Sequence, residues 1–140
     1  MAAESIVWTV KGGGYGNWLE VTSVNSCATG AATLTTMPLQ DGNGHILNLS
    51  GYHLYMIATY YGATGPTDNT DLELPEHTPT GYDILYGGGL NKIANATNNS
   101  FQPFINGSEA VMPIYGELYQ KVSNNAVNAA IFTIVYKFIK

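Results

Sequence analysis

Apolar residues in this chain return at every second position, the period of a strand, and nowhere hold a helical period for long. In SIVWTV, residues 5–10, Ile6, Trp8 and Val10 share one face, while Ser5, Val7 and Thr9 share the other. After the glycine-rich KGGGYG, the segment WLEVTSV at 18–24 alternates again. TLTTMPL then meets QDGNGH, whose Asp41-Gly42 and Asn43-Gly44 pairs tolerate positive φ and predict a tight reversal. ILNLS is expected to run back antiparallel to the strand before it. YHLYMIATYY, 52–61, is apolar on both faces, which predicts a strand in mid-sheet or one covered by a neighbouring subunit.

Residues 62–81 hold three prolines and predict a long connection, with a short strand at Asp71–Leu74. In GELYQKVSNN, 116–125, Leu118 and Val122 face one way and Glu117, Tyr119, Lys121 and Ser123 the other. A turn at 124–128 leads into AAIFTIVYKFIK, where Ala130, Phe132, Ile134, Tyr136 and Phe138 form one apolar face. These two segments are expected to pair as a hairpin with the last strand central. Eight or so short strands, glycine-rich reversals and no long helix predict an all-β fold, an antiparallel β-sandwich of jelly-roll-like form. The chain reads as one domain, 1–140, with an N-terminal arm at 1–16 and a long loop at 62–81.

Composition sharpens this picture. The chain is 45% hydrophobic but only 11% charged, against roughly 25% in an average soluble protein. Its surface must be covered largely by Asn, Thr, Ser, Gly and Tyr, which suits a protein packed against copies of itself. The net charge is −5, there is no arginine, and the five lysines are scattered. Nucleic-acid binders need clustered cations, so no nucleic-acid partner is expected. The single Cys27 excludes an intrachain disulfide and a cysteine-based zinc site, and SVNSCATG holds no base to activate a thiol. MAAESIVWTV lacks a basic stretch ahead of a long apolar one, and no run reaches the roughly 18 apolar residues of a membrane span, so neither a secretory signal nor a membrane partner is expected. Sequons at Asn48, Asn95, Asn98 and Asn106 read as surface polarity in a chain this rich in Asn, Ser and Thr.

The stretch most suggestive of chemistry is YDILYGGGLNK, 82–92. An apolar strand at Ile84–Tyr86 is expected to run into Gly87, Gly88 and Gly89, with Lys92 beyond. The nucleotide motifs G-x-x-x-x-G-K-[ST] and G-x-G-x-x-G are both unmet, and NKIANATNNS makes a poor helix to present to a phosphate. The glycines therefore read as a sharp turn or a close backbone approach. Asp68, Asp71, Glu73, Glu76 and His77 lack calcium-loop spacing and read as a solvated acidic loop. His45, His53 and His77 are far apart, without zinc-type spacing. His53, Asp83 and a serine make a triad only on paper, with no nucleophile elbow to support it. No catalytic, cofactor-binding or metal residue is expected. Among ten tyrosines, Tyr52, Tyr55, Tyr60 and Tyr61 lie close in sequence, as residues that stack on sugar rings or anchor interfaces can.

The C-terminal part resembles the head decoration or cement proteins of tailed bacteriophages. Asp83, Leu85, Gly87, Gly89 and Asn91 fit their extended D-[IL]-L-x-G-x-G-x-N segment. Pro113, Gly116, Leu118, Val122, Ser123 and Asn124 fit the P-[IV]-x-G-x-L-x-x-x-V-[ST]-N strand that follows. The match covers roughly the last 60 residues. The resemblance implies a non-enzymatic virion protein on the capsid surface, often trimeric, bound to the major capsid protein and without catalytic residues or cofactor. The competing expectation is a carbohydrate- or receptor-binding module, either a tail-fibre tip or a lectin-like domain.

Overall fold

A computed structural model describes residues 2–12, 16–105 and 108–140. The fold is all-β with antiparallel pairing throughout. Its larger sheet follows the order β1 (Ser5–Gly12), β2 (Trp18–Ser26), β11 (Ile131–Ile139), β4 (His53–Tyr61), β6 (Asn99–Phe101), and β9 (Met112–Pro113) also pairs with β4. A three-stranded sheet, β3 (Met37–Pro38), β10 (Tyr119–Ser123) and β5 (Asp71–Glu73), faces it. A small hairpin joins β7 (Phe104–Ile105) to β8 (Ser108–Glu109). The two layers share one core and make the molecule a β-sandwich. The jelly-roll winding is not established by this order. Residues 13–15 of the glycine-rich KGGGYG and the sequon at Asn106 lie outside the described residues. The rest of the expected N-terminal arm carries β1, paired with β2 along its whole length.

The last strand is central, as its alternation predicts. All nine residues of β11 pair with β2, and β4 lies on its other side. Phe132, Ile134, Tyr136 and Phe138 are each fully buried, worth roughly 1.5–3 kcal/mol per side chain in apolar burial. The two-sided apolar character of β4 has a local cause. Its register against β11 shifts between Lys137 and Phe138, leaving Tyr55 between the paired residues Leu54 and Met56. This bulge turns Leu54 and Ile57, three apart in sequence, into the same core.

The layers are joined by a polar cluster inside that core. Ser23 Oγ on β2 and Tyr136 Oη on β11 both donate to Gln120 Oε1 on β10, at 2.6 and 2.7 Å. Gln120 Nε2 donates to Asn25 Oδ1 at 2.8 Å, and Asn25 Nδ2 donates to Ser23 Oγ at 3.0 Å. All four residues are buried. Burial drives the Tyr136 phenol well above its ordinary range, so it stays a donor.

Three expectations are corrected. β10 and β11 do not form a hairpin: β10 pairs with β3 and β5, so the chain crosses from one layer to the other between them. Ile84–Tyr86 is not a strand but part of a series of turns, because backbone bonds from Tyr86 N to Asp83 O, Gly88 N to Leu85 O and Leu90 N to Gly87 O coil the segment. The reversal at 41–44 forms, yet ILNLS does not continue as a strand. After the bridge of Gln40 with Ile46, Leu49 N turns instead to Gly116 O, which brings Leu49 into the core.

Candidate functional site

The turn-rich segment 75–91, packed on the three-stranded sheet, gathers most of the residues singled out from sequence. The short strand expected at Asp71–Leu74 is present as β5, and Pro75 and Glu76 extend its path by single bridges to Asp83 and Leu118. Asp83 is the organising residue. Its Oδ1 accepts from Leu74 N at 2.9 Å and from Leu85 N at 3.0 Å, and its Oδ2 accepts from Gly87 N at 3.0 Å.

This arrangement explains the glycines. A run of converging backbone N–H groups is what a phosphate loop offers an anion, but here the chain's own carboxylate already holds them. Gly87 has φ +81°, which L side chains rarely adopt. Gly89 lies so close to β5 that an added Cβ would fall 2.0 Å from Leu72 O, while its own carbonyl accepts from Leu72 N at 2.9 Å. The close approach is thus made within one chain. Lys92 places its ammonium 5.5 Å from the Phe101 ring centroid.

The acidic loop is solvated only in part: Asp68 and His77 are exposed and Glu73 is half-buried. Asp71 and Glu76 are buried, at 6% and 3% exposure, because each serves as an acceptor for otherwise unsatisfied donors. Asp71 receives Asn91 N at 2.7 Å and the side-chain amide of Asn124, and Asp68 receives Asn95 N at 2.9 Å. Glu73 pairs with Lys121 at 2.8 Å. Among the described residues no three metal-ligating side chains converge. The paper triad is not assembled either: Asp83 is occupied by backbone, and no bond joins it to His53 among the described residues. An open cleft of about 460 Å³ lies beside the segment, lined by Thr36, Glu73, Pro75, Pro79, Asp83 and Lys121. Its ionic groups are already matched to one another or to backbone.

Glu76 has a different set of partners. Tyr82 Oη donates to Glu76 Oε1 at 2.9 Å, Tyr115 N donates to Oε2 at 3.3 Å, and His77 Nε2 stands 3.5 Å from Oε1. The phenol of Tyr82 is raised above its usual pKa chiefly by the bond to Glu76, then by desolvation and the surrounding negative charge. Tyr82, Tyr86 and Tyr115 are 57%, 66% and 69% exposed. The tyrosines close in sequence behave otherwise. Tyr52 packs edge-on against Phe138 at 6.5 Å, Tyr55 sits at the bulge, and Tyr60 and Tyr61 are exposed at the end of β4. The loop cluster carries no sequence signal, because Tyr115 is distant in the chain from Tyr82 and Tyr86.

A further exposed surface lies on the outside of the larger sheet. Reading across β1, β2, β11 and β4, the cross-strand rows are Val7–Val24–Thr133–Tyr60 and Thr9–Thr22–Val135, the second ending at the buried Ala58. A shorter row, Ser5–Ser26–Ile131, lies beside them. These three rows hold no charge. Charges first appear in the next row, Lys11–Glu20–Lys137, which ends at Met56.

Compared with known proteins, the chain matches no family model, no curated protein and no solved structure. The class defined by fold and surface is an antiparallel β-sandwich whose larger sheet carries three adjacent uncharged rows on its outer face.

Proposed function

We propose that this chain is a non-enzymatic structural protein of a tailed-phage virion, decorating or cementing the capsid surface as a homo-oligomer, with a trimer favoured and the major capsid protein as partner. The observation that carries the assembly reading is the set of three uncharged rows on the outer face of the larger sheet. Val7, Val24 and Tyr60 are 58%, 39% and 44% exposed in a single row across four strands. A contiguous patch of this kind marks an interaction surface more often than a solvated one. Its β-branched side chains form a stiff surface that loses little rotamer freedom on contact. The resemblance to head decoration proteins over the C-terminal part supports the virion setting.

Association through such a face rests on apolar burial, which salt does not screen. Sedimentation velocity at low salt and at about 1 M salt is expected to give the same oligomer in both. Val24→Asp, at the centre of the face, is expected to leave a folded monomer. A wild-type monomer at micromolar concentration in both salts overturns the proposed assembly. Cryo-EM of particles containing the chain is expected to place it on the outer capsid lattice.

A further inference from the structure

We propose that Tyr82, Tyr86 and Tyr115 form a binding platform for a neutral glycan, on the loop end of the molecule and separate from the assembly face. The first ground is exposure combined with fixation. Three tyrosines from two distant loops stand more than half exposed: the buried carboxylate of Glu76 holds the Tyr82 hydroxyl and the Tyr115 backbone, and Tyr86 lies beside Tyr82. The buried carboxylate is compensated by these bonds and fixes the Tyr82 ring and the Tyr115 backbone in place.

The second ground is backbone strain. Tyr86 has φ +49° and His77 has φ +71°. Left-handed backbone is unfavourable for bulky residues and is tolerated where the surroundings over-determine it. At Tyr86 the Asp83 turns impose it, through the Tyr86 N to Asp83 O bond and the Gly87 N to Asp83 Oδ2 bond. At His77 the ring lies against Gly116, next to Tyr115, where an added Cβ would come within 2.9 Å of the imidazole. Glycine or asparagine would hold the turn at position 86 with less strain, so the turn itself does not call for the tyrosine.

The chemistry of the patch selects the ligand. Residues 75–91 and 111–116 contain no lysine or arginine, and the whole chain carries a net charge of −5. Lys121, in the cleft beside the segment, is already paired with Glu73 at 2.8 Å, so an anionic ligand would have to compete for it. The Tyr82 and Tyr86 ring centroids are 6.4 Å apart, with planes inclined 32°. A ring inserted between them would need about 7–8 Å, two contact separations of 3.5–4.0 Å. A ligand must therefore lie across the rings. The C–H face of a pyranose suits that placement, with its hydroxyls directed to the Tyr86 and Tyr115 phenols and the His77 imidazole. A proline-rich peptide docks instead in an aromatic-lined groove, and its binding is an outcome that titration distinguishes.

This inference does not rest on the assembly reading, since the platform is complete within one chain. The test is titration of the full chain with four neutral hexasaccharides: an α-glucan, a β-glucan, an N-acetylglucosamine oligomer and a mannan. Saturable binding to at least one is expected, with Kd below about 5 mM. Tyr86→Ala and Tyr115→Ala should each weaken it by about fivefold or more. Tyr61→Ala, an exposed tyrosine elsewhere, should leave it unchanged. In the wild type, saturation-transfer NMR should show aromatic protons passing magnetisation to sugar ring protons, a readout that needs no variant. No saturable binding to any of the four sugars overturns the proposal. So does binding that survives Tyr86→Ala at full strength, or saturation of the patch by a proline-rich peptide alone.

Discussion

At the scale of single residues, the side chain that ties the layers together is Gln120. It accepts from Ser23 and Tyr136 and donates to Asn25, with every member of the cluster buried. A buried polar group is costly only when a partner is missing, so truncating one member leaves the others short. Tyr136→Phe keeps the ring and removes the hydroxyl, and should cost about 1–2 kcal/mol near neutral pH. Its pH dependence has a definite sign. The folded protein holds the Tyr136 proton more tightly than the unfolded chain, where a tyrosine titrates near 10. The stabilising effect is therefore complete below about pH 10 and is lost as pH rises above it. Denaturant unfolding followed into the alkaline range should show the gap between wild type and Tyr136→Phe narrowing. A constant gap would mean that Tyr136 is not the group being titrated. Gln120 has the parity of Val122 along β10, but nothing in the local pattern tells of its partners on the opposite layer.

At the scale of elements, alternation was a good guide to faces and a poor guide to neighbours. β11 is the clearest case: its apolar face is the fully buried one, and its other face is half-buried. Phe132→Ala should cost roughly 3–5 kcal/mol, whereas Thr133→Ala, one residue along and on the outer face, should cost under about 1 kcal/mol. Chemical denaturation of the two variants tests this, and equal losses would contradict the assigned faces. The expected hairpin of β10 with β11 fails for a reason that periodicity cannot contain. A strand pointing its apolar residues inward has the same pattern whether it joins its neighbour's sheet or crosses to the facing one. Asn124 at φ +62° and Ala129 at φ +55° shape that crossing, and their sequence reads as an ordinary turn. The segment Ile84–Tyr86 misleads in a similar way. Ile84 and Leu85 are buried like strand residues, yet Asp83 captures the neighbouring N–H groups and coils the chain.

At the scale of the whole molecule, the glycine-rich segment is an internal fastening between the turns and β5. Asp83 holds the N–H groups of Leu74, Leu85 and Gly87, so an incoming phosphate would have to displace a carboxylate that the chain carries with it. Titration with ATP, GTP or NAD should give no heat beyond dilution, and Lys92→Ala should behave as the wild type does. Saturable nucleotide binding that Lys92→Ala abolishes would reverse this account. The antiparallel all-β class, the buried face of β11, the reversal at 41–44 and the small strand β5 were legible in the sequence. Each follows from interactions between residues near one another in the chain: side-chain alternation, tolerance of positive φ, and turn chemistry. The tertiary structure alone decided the crossing between β10 and β11, the Gln120 cluster, the burial of Asp71 and Glu76, the uncharged rows on the outer face and the meeting of Tyr115 with Tyr82. These depend on pairing and packing between distant segments, where one local pattern is compatible with several partners and only the closure of the shared core selects among them.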